Sequence, residues 1–185
     1  MDCTAIILCG GKALRAGGRD KGLVRVYGRP LVQQALDTVS GLASNAVISA
    51  NRNLDRYAEF GHPIVADTLT GFQGPLAGLQ AGLAYCETSV ALVLPCDMPF
   101  LTEAILARVL DGLGSKALCC AHDGQRDQYL VAALRTDLQT HLAHFLARGE
   151  RAVQRWYAEL DSVTVDCSDA AVSFQHFNAP QRYGF

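Results

Sequence analysis

The chain predicts an α/β fold, a mostly parallel, mixed central sheet with helices on both faces, and three observations predict it. Apolar runs of strand length alternate with segments whose apolar residues recur at helical spacing. The runs are continuously apolar, as in strands covered on both sides. Late in the chain, two such runs flank a polar stretch containing Asp123-Gly124, a hairpin signal that adds an antiparallel pair. The 185 residues, half of them apolar, are expected to form one domain over residues 1–185.

The first strand is read at Thr4–Leu8, ending in a glycine-rich loop. Leu23–Tyr27 reads as a short extended piece, Gly28-Arg29 as a turn, and Pro30 as the start of a helix to about Ser40 with Leu31, Ala35, Leu36 and Val39 on its apolar face. A strand at Ala46–Ala50, a helix near Leu54–Phe60 and a strand at Pro63–Ala66 follow. Then come a helix beyond Gly74-Pro75, a strand at Val90–Leu94 and a helix from Thr102, a good N-cap followed by Glu103 in the first turn. Lys116–Ala121 and Tyr129–Leu134 form the hairpin. Helices at about Asp137–Ala147 and Ala152–Leu160 and a strand at Val163–Val165 close the chain. In such a sheet, ligands are expected at the carboxyl ends of the strands.

Two segments carry chemistry. After the first strand, Gly10, Gly11, Gly17 and Gly18 interleave with Lys12, Arg15, Arg19 and Lys21. Glycines let backbone N–H groups approach an anion, and the cations neutralise it, so the loop points to a nucleotide triphosphate. Paired glycines are also ordinary turn formers, but four cations among them make that the weaker reading. The loop lacks the Gly-Lys-Ser/Thr end of a P-loop and the three spaced glycines of a dinucleotide fold. The second segment is Leu92–Leu101, an apolar strand ending in Asp97 between Pro95 and Pro99. Asp97 fits either a turn or N-cap role or an Mg²⁺ ligand, and the phosphate loop favours the metal.

Other polar residues fall at the same edge or near it. Asn51-Arg52 and Asp67 follow strands and would face one crevice, although each alone suits a solvated loop. The small residues of Gly74–Gly78 allow either close approach to a flat base or tight helix–sheet packing. His122, Asp123, Arg126 and Asp127 sit on a hairpin tip, as a solvated turn or a contact to a second substrate. Arg148, Arg151 and Arg155 suit a phosphate or a helix end.

Composition excludes several classes. A net charge of −2 gives no global attraction to nucleic acid or anionic membrane. Seven cysteines without a Cys-x-x-Cys pair argue against a disulfide framework and a zinc site, and suit a reducing cytoplasm. The start of the chain lacks the pattern of a secretion signal, and no apolar run reaches the roughly 18 residues of a membrane span, so a soluble intracellular protein is expected.

The ordered series Leu8-Cys-Gly-Gly, Arg15, Gly18, Asp20-Lys-Gly22, Gly28-Arg-Pro-Leu31, Ala50-Asn-Arg52, Asp67, Gly74-Pro-Leu-Ala-Gly78, Pro95-Cys-Asp-Met-Pro99 and His122–Asp127 resembles the molybdenum cofactor guanylyltransferase (MobA) family. Gly149-Glu-Arg151 and Phe177-Asn-Ala-Pro180 extend the likeness nearly end to end. The resemblance implies a three-layer, Rossmann-like α/β/α sandwich that joins GMP from GTP to the terminal phosphate of molybdopterin and releases pyrophosphate, with Mg²⁺ as cofactor. It implies GTP contacts at Leu8, Cys9, Gly10, Gly11, Lys21, Asn51, Asp67, Gly78 and Asp97. Arg15, Lys21 and Asp97 would be catalytic, with the metal on Asp97. Asp123, Arg126, Arg151 and Asn178 would lie on the pterin side. Partners implied are the two substrates, other proteins of molybdenum cofactor biosynthesis and apo-molybdoenzymes, with a monomer or weak oligomer in the cytoplasm.

Gly-Gly after the first strand is similar to guanylyl-transferring members, whereas cytidylyl-transferring relatives tend to carry Ala-Gly. The chain departs from the family pattern at Cys9 (usually Ala), Ala16 (commonly Met), Ser49 (often an Asn contacting nucleotide) and Gln128-Tyr129 (a His-Pro pair). The alternatives are a cytidylyltransferase or another small-molecule nucleotidyltransferase, and a non-catalytic nucleotide-binding carrier.

Overall fold

The computed structural model of the chain describes residues 2–10, 20–68 and 74–177. The strands are β1 (Thr4–Leu8), β2 (Arg25–Val26), β3 (Arg29–Pro30), β4 (Asn45–Ser49), β5 (Ile64–Val65), β6 (Val90–Pro95), β7 (Leu118–His122), β8 (Asp127–Arg135) and β9 (Ser162–Asp166). The α-helices are α1 (Leu31–Val39), α2 (Leu54–Ala58), α3 (Pro75–Tyr85), α4 (Glu103–Leu113), α5 (Leu138–Ala147) and α6 (Val153–Ala158). Among the described residues, seven strands form one sheet in the order β5-β4-β1-β6-β8-β7-β9. β8 alone runs against its neighbours β6 and β7, and β9 pairs parallel with β7. The sheet is therefore mixed and mostly parallel, as expected.

Alternation along the central strands divides the core into two layers. Ala5 and Ile7 of β1, Leu92 and Leu94 of β6 and Ile48 of β4 face α1, α2 and α4. Ile6, Leu8, Val47 and Val93 face α3, α5 and α6, where Trp156 and Phe145 fill the space beneath β8. Both faces of β1 and β6 are covered, which explains why their sequences show no polar alternation.

α3 is apolar around most of its circumference because it packs on the sheet and also touches α5. Gly82 permits the close approach: a Cβ there would lie 2.5 Å from Ile6 Cγ2. Three local expectations shift. The piece read at Leu23–Tyr27 is a 3-10 turn at Lys21–Leu23 followed by a tiny hairpin of β2 and β3. Its turn falls on Tyr27 and Gly28, both at positive φ, one residue before the predicted Gly28-Arg29, because that geometry matches strand twist. Thr102 occupies the N-cap position of α4 with extended backbone, but its hydroxyl makes no capping bond. A 3-10 segment at Ser168–Phe174, without an amphipathic signal of its own, carries the chain back over the sheet. Among the described residues, no helix is long and apolar enough to cross a membrane.

Gly82→Val should destabilise the fold by about 1–3 kcal/mol, the usual range for overpacking a tight core contact. A denaturant midpoint lowered at unchanged slope is the expected result; an unchanged midpoint would show that the α3–β1 contact yields freely.

Candidate functional site

β1 and β6 are parallel neighbours, with Leu8 opposite Pro95. After β1 the chain goes to β4 on one side, and after β6 to the half of the sheet on the other. The chain thus leaves the two carboxyl ends toward opposite sides, and the crevice between is the place where open α/β sheets bind ligands. A cavity of about 270 Å³ occupies it. Of the residues singled out in the sequence, Leu8, Cys9, Gly10, Lys21, Arg52 and Asp97 line this cavity, joined by Leu130 and His176. Arg15 and Gly11, with the rest of the loop 11–19, and Asn178 lie outside the described residues.

Two oppositely charged groups, 76 residues apart, meet across the crevice: Lys21 Nζ donates to Asp97 Oδ2 at 2.9 Å. His176 Nδ1 lies 3.0 Å from Asp97 Oδ1, and the Phe177 N–H donates to the Asp97 carbonyl at 2.7 Å. Burial pushes the Asp97 carboxyl up, but His176 and Lys21 outweigh it and hold the group below the ordinary carboxylate range. Asp97 is an anion at neutral pH. A carboxylate accepting from both sides is a ligand group held in place before any ligand arrives.

A buried polar network supports the Lys21 side. Asp20 is almost fully buried and accepts from Tyr57 Oη at 2.7 Å and Asn53 Nδ2 at 3.0 Å, with Arg52 Nε at 3.7 Å. Tyr57 is completely buried, and burial raises its phenol well above the usual value, so it serves as a fixed donor. Gly22 leaves the space the Tyr57 hydroxyl needs. Asn53 accepts positive φ, a conformation asparagine tolerates better than most residues, and so starts α2 beside Asp20.

Asn51, Asp67 and Gly78 do not line the cavity but pack behind Leu8 and Gly10, which do. Asn51 Oδ1 accepts from the Asp67 N–H at 2.8 Å, and a Cβ on Gly10 would lie 3.7 Å from Asn51 Nδ2. A Cβ on Gly78 would lie 2.5 Å from Ser49 Oγ and 3.5 Å from both Asp67 Oδ1 and Leu8 Cδ2. Gly78 thus seats α3 on the sheet, and Ser49 is buried beneath it. Burial raises the Asp67 carboxyl against the lowering effect of Asn51. Cys9 and Cys96 are buried; contact with Cys9 and burial push the Cys96 thiol well up, which makes it inert as a nucleophile.

A second cavity of about 480 Å³ lies alongside, bounded by Arg126, Gln128, Tyr129 and Gln154 and sharing Leu130 and His176 with the first. Of the expected pterin-side residues among those described, Asp123 and Arg126 share the hairpin tip, with Arg126 Nε 3.9 Å from Asp123 Oδ2, and Arg151 lies after α5. Arg126 is exposed on the rim of this cavity. Asp123 folds into its own turn, accepting from the Gln125 and Arg126 N–H groups at 2.8 Å each and from Gln128 Nε2 at 2.6 Å. Arg151 donates to the Leu146 and Glu150 carbonyls at the end of α5, while Arg148 and Arg155 pair with Glu159 and Glu150.

Among the described residues, no three potential ligands cluster for a metal. Asp97 offers an anionic oxygen pair at the cavity wall, and Mg²⁺ asks for no more, since it commonly takes one or two carboxylates with phosphates and water completing its shell. The donor set fits a cation that comes with a nucleotide. Sequence reading misses His176 altogether: it is 79 residues from Asp97, and its only signal is the neighbouring Phe177-Asn-Ala-Pro180 motif.

Residues 5–163 match the MobA-like NTP transferase domain. The chain is 38% identical over 180 residues to the molybdenum cofactor guanylyltransferase of Shewanella halifaxensis (strain HAW-EB4), covering 96% of this chain and 90% of that protein. The protein of the same name from Shewanella loihica (strain ATCC BAA-1088 / PV-4) is 37% identical over 180 residues, 96% and 92% of the two chains. Among solved structures, molybdopterin-guanine dinucleotide biosynthesis protein A from Archaeoglobus fulgidus shares the fold with a TM-score of 0.79 at 20% identity, over 96% of this chain and 93% of that one. The 2-C-methyl-D-erythritol 4-phosphate cytidylyltransferase of Thermus thermophilus does so at 0.75 and 16% identity, over 98% and 95%.

Tyr57→Phe should cost about 1–3 kcal/mol, because it leaves the buried Asp20 carboxylate short of one donor. The measurement is the denaturant midpoint; equal midpoints for the two proteins would show that water replaces the phenol without loss.

Proposed function

The chain belongs to the MobA-like NTP transferase family, nucleotidyltransferases acting on small-molecule substrates, and from that premise we propose that it transfers GMP from GTP to the terminal phosphate of molybdopterin. The product is molybdopterin guanine dinucleotide. The observation that carries the reading is the 2.9 Å contact of Lys21 with Asp97 across the switch-point crevice, in a chain 38% identical to a molybdenum cofactor guanylyltransferase. A carrier that merely held a nucleotide would have no use for an anionic carboxylate beside the phosphate site, whereas a transferase does.

The reaction balances simply. An oxygen of the acceptor phosphate attacks the α-phosphorus of GTP in line, the new P–O bond forms, and the bond to the bridging oxygen breaks with pyrophosphate as leaving group. The nucleophile is already ionised near pH 7, so no general base is needed. What remains for the protein is positioning and charge neutralisation.

In this reading Lys21 exchanges its carboxylate partner for a phosphate oxygen and offsets charge on the triphosphate and departing pyrophosphate. Arg15, in the glycine-rich loop, adds a second cation there. Asp97 would hold Mg²⁺, which when bound supplies Lewis-acid neutralisation of the phosphates. Leu8, Cys9, Gly10 and Gly11 bring backbone close to the nucleotide, while Asn51, Asp67 and Gly78 stand behind them on the side of its nucleoside half. The second cavity, with Arg126 on its rim, takes the pterin.

Asp97→Ala and Lys21→Ala should each lower GMP transfer by at least about ten-fold, or roughly 1.4 kcal/mol of transition-state stabilisation. Pyrophosphate release from GTP, Mg²⁺ and molybdopterin is the assay, and near-normal turnover by a folded variant would remove these roles. In competition between GTP and CTP, incorporation of GMP should dominate; equal use would leave a nucleotidyltransferase without guanine preference.

A further inference from the structure

We propose that His176 is a positioning residue: it keeps the Asp97 carboxylate aimed into the nucleotide cavity when Lys21 leaves it for a phosphate. The inference rests on the nucleotidyl-transfer reading above and adds to it a residue that neither the sequence nor that reading assigns.

Asp97 is held at both oxygens, Oδ2 by Lys21 at 2.9 Å and Oδ1 by His176 Nδ1 at 3.0 Å. The two holders differ in kind. Lysine carries its charge on a flexible four-carbon stem and can follow a phosphate oxygen as it arrives. The imidazole has only two rotatable bonds, and its backbone is pinned on both sides. Phe177 is buried with Val26 and Leu31 and donates its N–H to the Asp97 carbonyl at 2.7 Å, while the Gln175 N–H closes the preceding 3-10 segment on Val172 at 3.3 Å. Residues 175–177 are thus a strap across the loop that follows β6, fixed to it through main chain and side chain together.

Once Lys21 engages the triphosphate, Asp97 would otherwise be a partly buried carboxylate with a free choice of rotamer. A retained Nδ1 hydrogen bond removes that choice and leaves Oδ2 for a cation. The ring also stands between the two cavities: among the described residues it shares their boundary only with Leu130, which is apolar. An acceptor phosphate moving from the second cavity toward the α-phosphorus passes the His176 ring, so the group that orients Asp97 is also the polar group at the junction.

The test compares the wild type with His176→Ala and with His176→Gln, which keeps an N–H donor. Calorimetry gives GTP affinity with and without Mg²⁺, and steady-state assays give kcat and the KM for molybdopterin. For His176→Ala, kcat should fall roughly ten- to hundred-fold, the usual cost of a misplaced reacting geometry. The Mg²⁺-dependent gain in GTP affinity should shrink, while affinity without Mg²⁺ and the thermal midpoint move little. Glutamine should recover most of both losses; if the alanine variant does not fold, His176→Phe against His176→Gln makes the same comparison. Alanine behaving as wild type, or glutamine failing as alanine does, overturns the inference and leaves the transferase reading standing. A wild type that transfers no GMP overturns that reading, and this inference with it.

Discussion

The contact on which the site depends is the ion pair of Lys21 with Asp97, because it joins the two chain segments that the sheet topology drives apart. β1 and β6 lie side by side, but their following loops turn to opposite halves of the sheet. Lys21 comes from the first and Asp97 from the second, and the pair closes the crevice between them. Both side chains are only partly exposed, so each charge loses some hydration, and a partner is what makes that tolerable. The same feature would make the pair exchangeable in the proposed reaction: a triphosphate carrying a cation would offer Lys21 an anion and Asp97 a cation.

Around this pair the polar groups are arranged so that little has to reorganise. Asp20, one residue before Lys21, is tied to Tyr57, Asn53 and Arg52, so the backbone that presents the lysine is anchored to α2. On the other side, the 3-10 segment and Phe177 bring His176 onto Asp97. Preorganised charges of this kind are worth more inside a partly enclosed cleft than in water. Glycine makes the arrangement possible at two places. Gly22 leaves room for the Tyr57 hydroxyl, and Gly78 lets α3 sit directly on Ser49 and beside Asp67.

The hairpin of β7 and β8 turns the sheet from parallel to mixed and supplies the wall of the second cavity. In sequence its tip suits either solvent or a substrate, and in the structure its residues differ in their surroundings. Asp123 is consumed by the N–H groups of its own turn and by Gln128, whereas Arg126 projects at the cavity rim. Gln128, where the resemblance has histidine, therefore braces the turn from within.

The sequence by itself determined the layers, the nature of the sheet and the two segments that bear charge. Continuous apolar runs of strand length such as Val90–Leu94 suit strands covered on both faces, and the spacing of Ile105, Leu106, Val109 and Leu110 suits a helix with one covered face. Strand order and contacts made across long separations were left to the tertiary structure. Nothing in the local pattern of residues 168–177 indicates that they return to the crevice, and a histidine 79 residues from an aspartate has no spacing to be recognised by. For the same reason Asp20 and Tyr57, Gly78 and Ser49, and the different surroundings of Asp123 and Arg126 emerged only in three dimensions. Periodicity reports which side of an element is buried, since burial repeats with the backbone geometry; which partner meets it depends on how the whole chain closes its core.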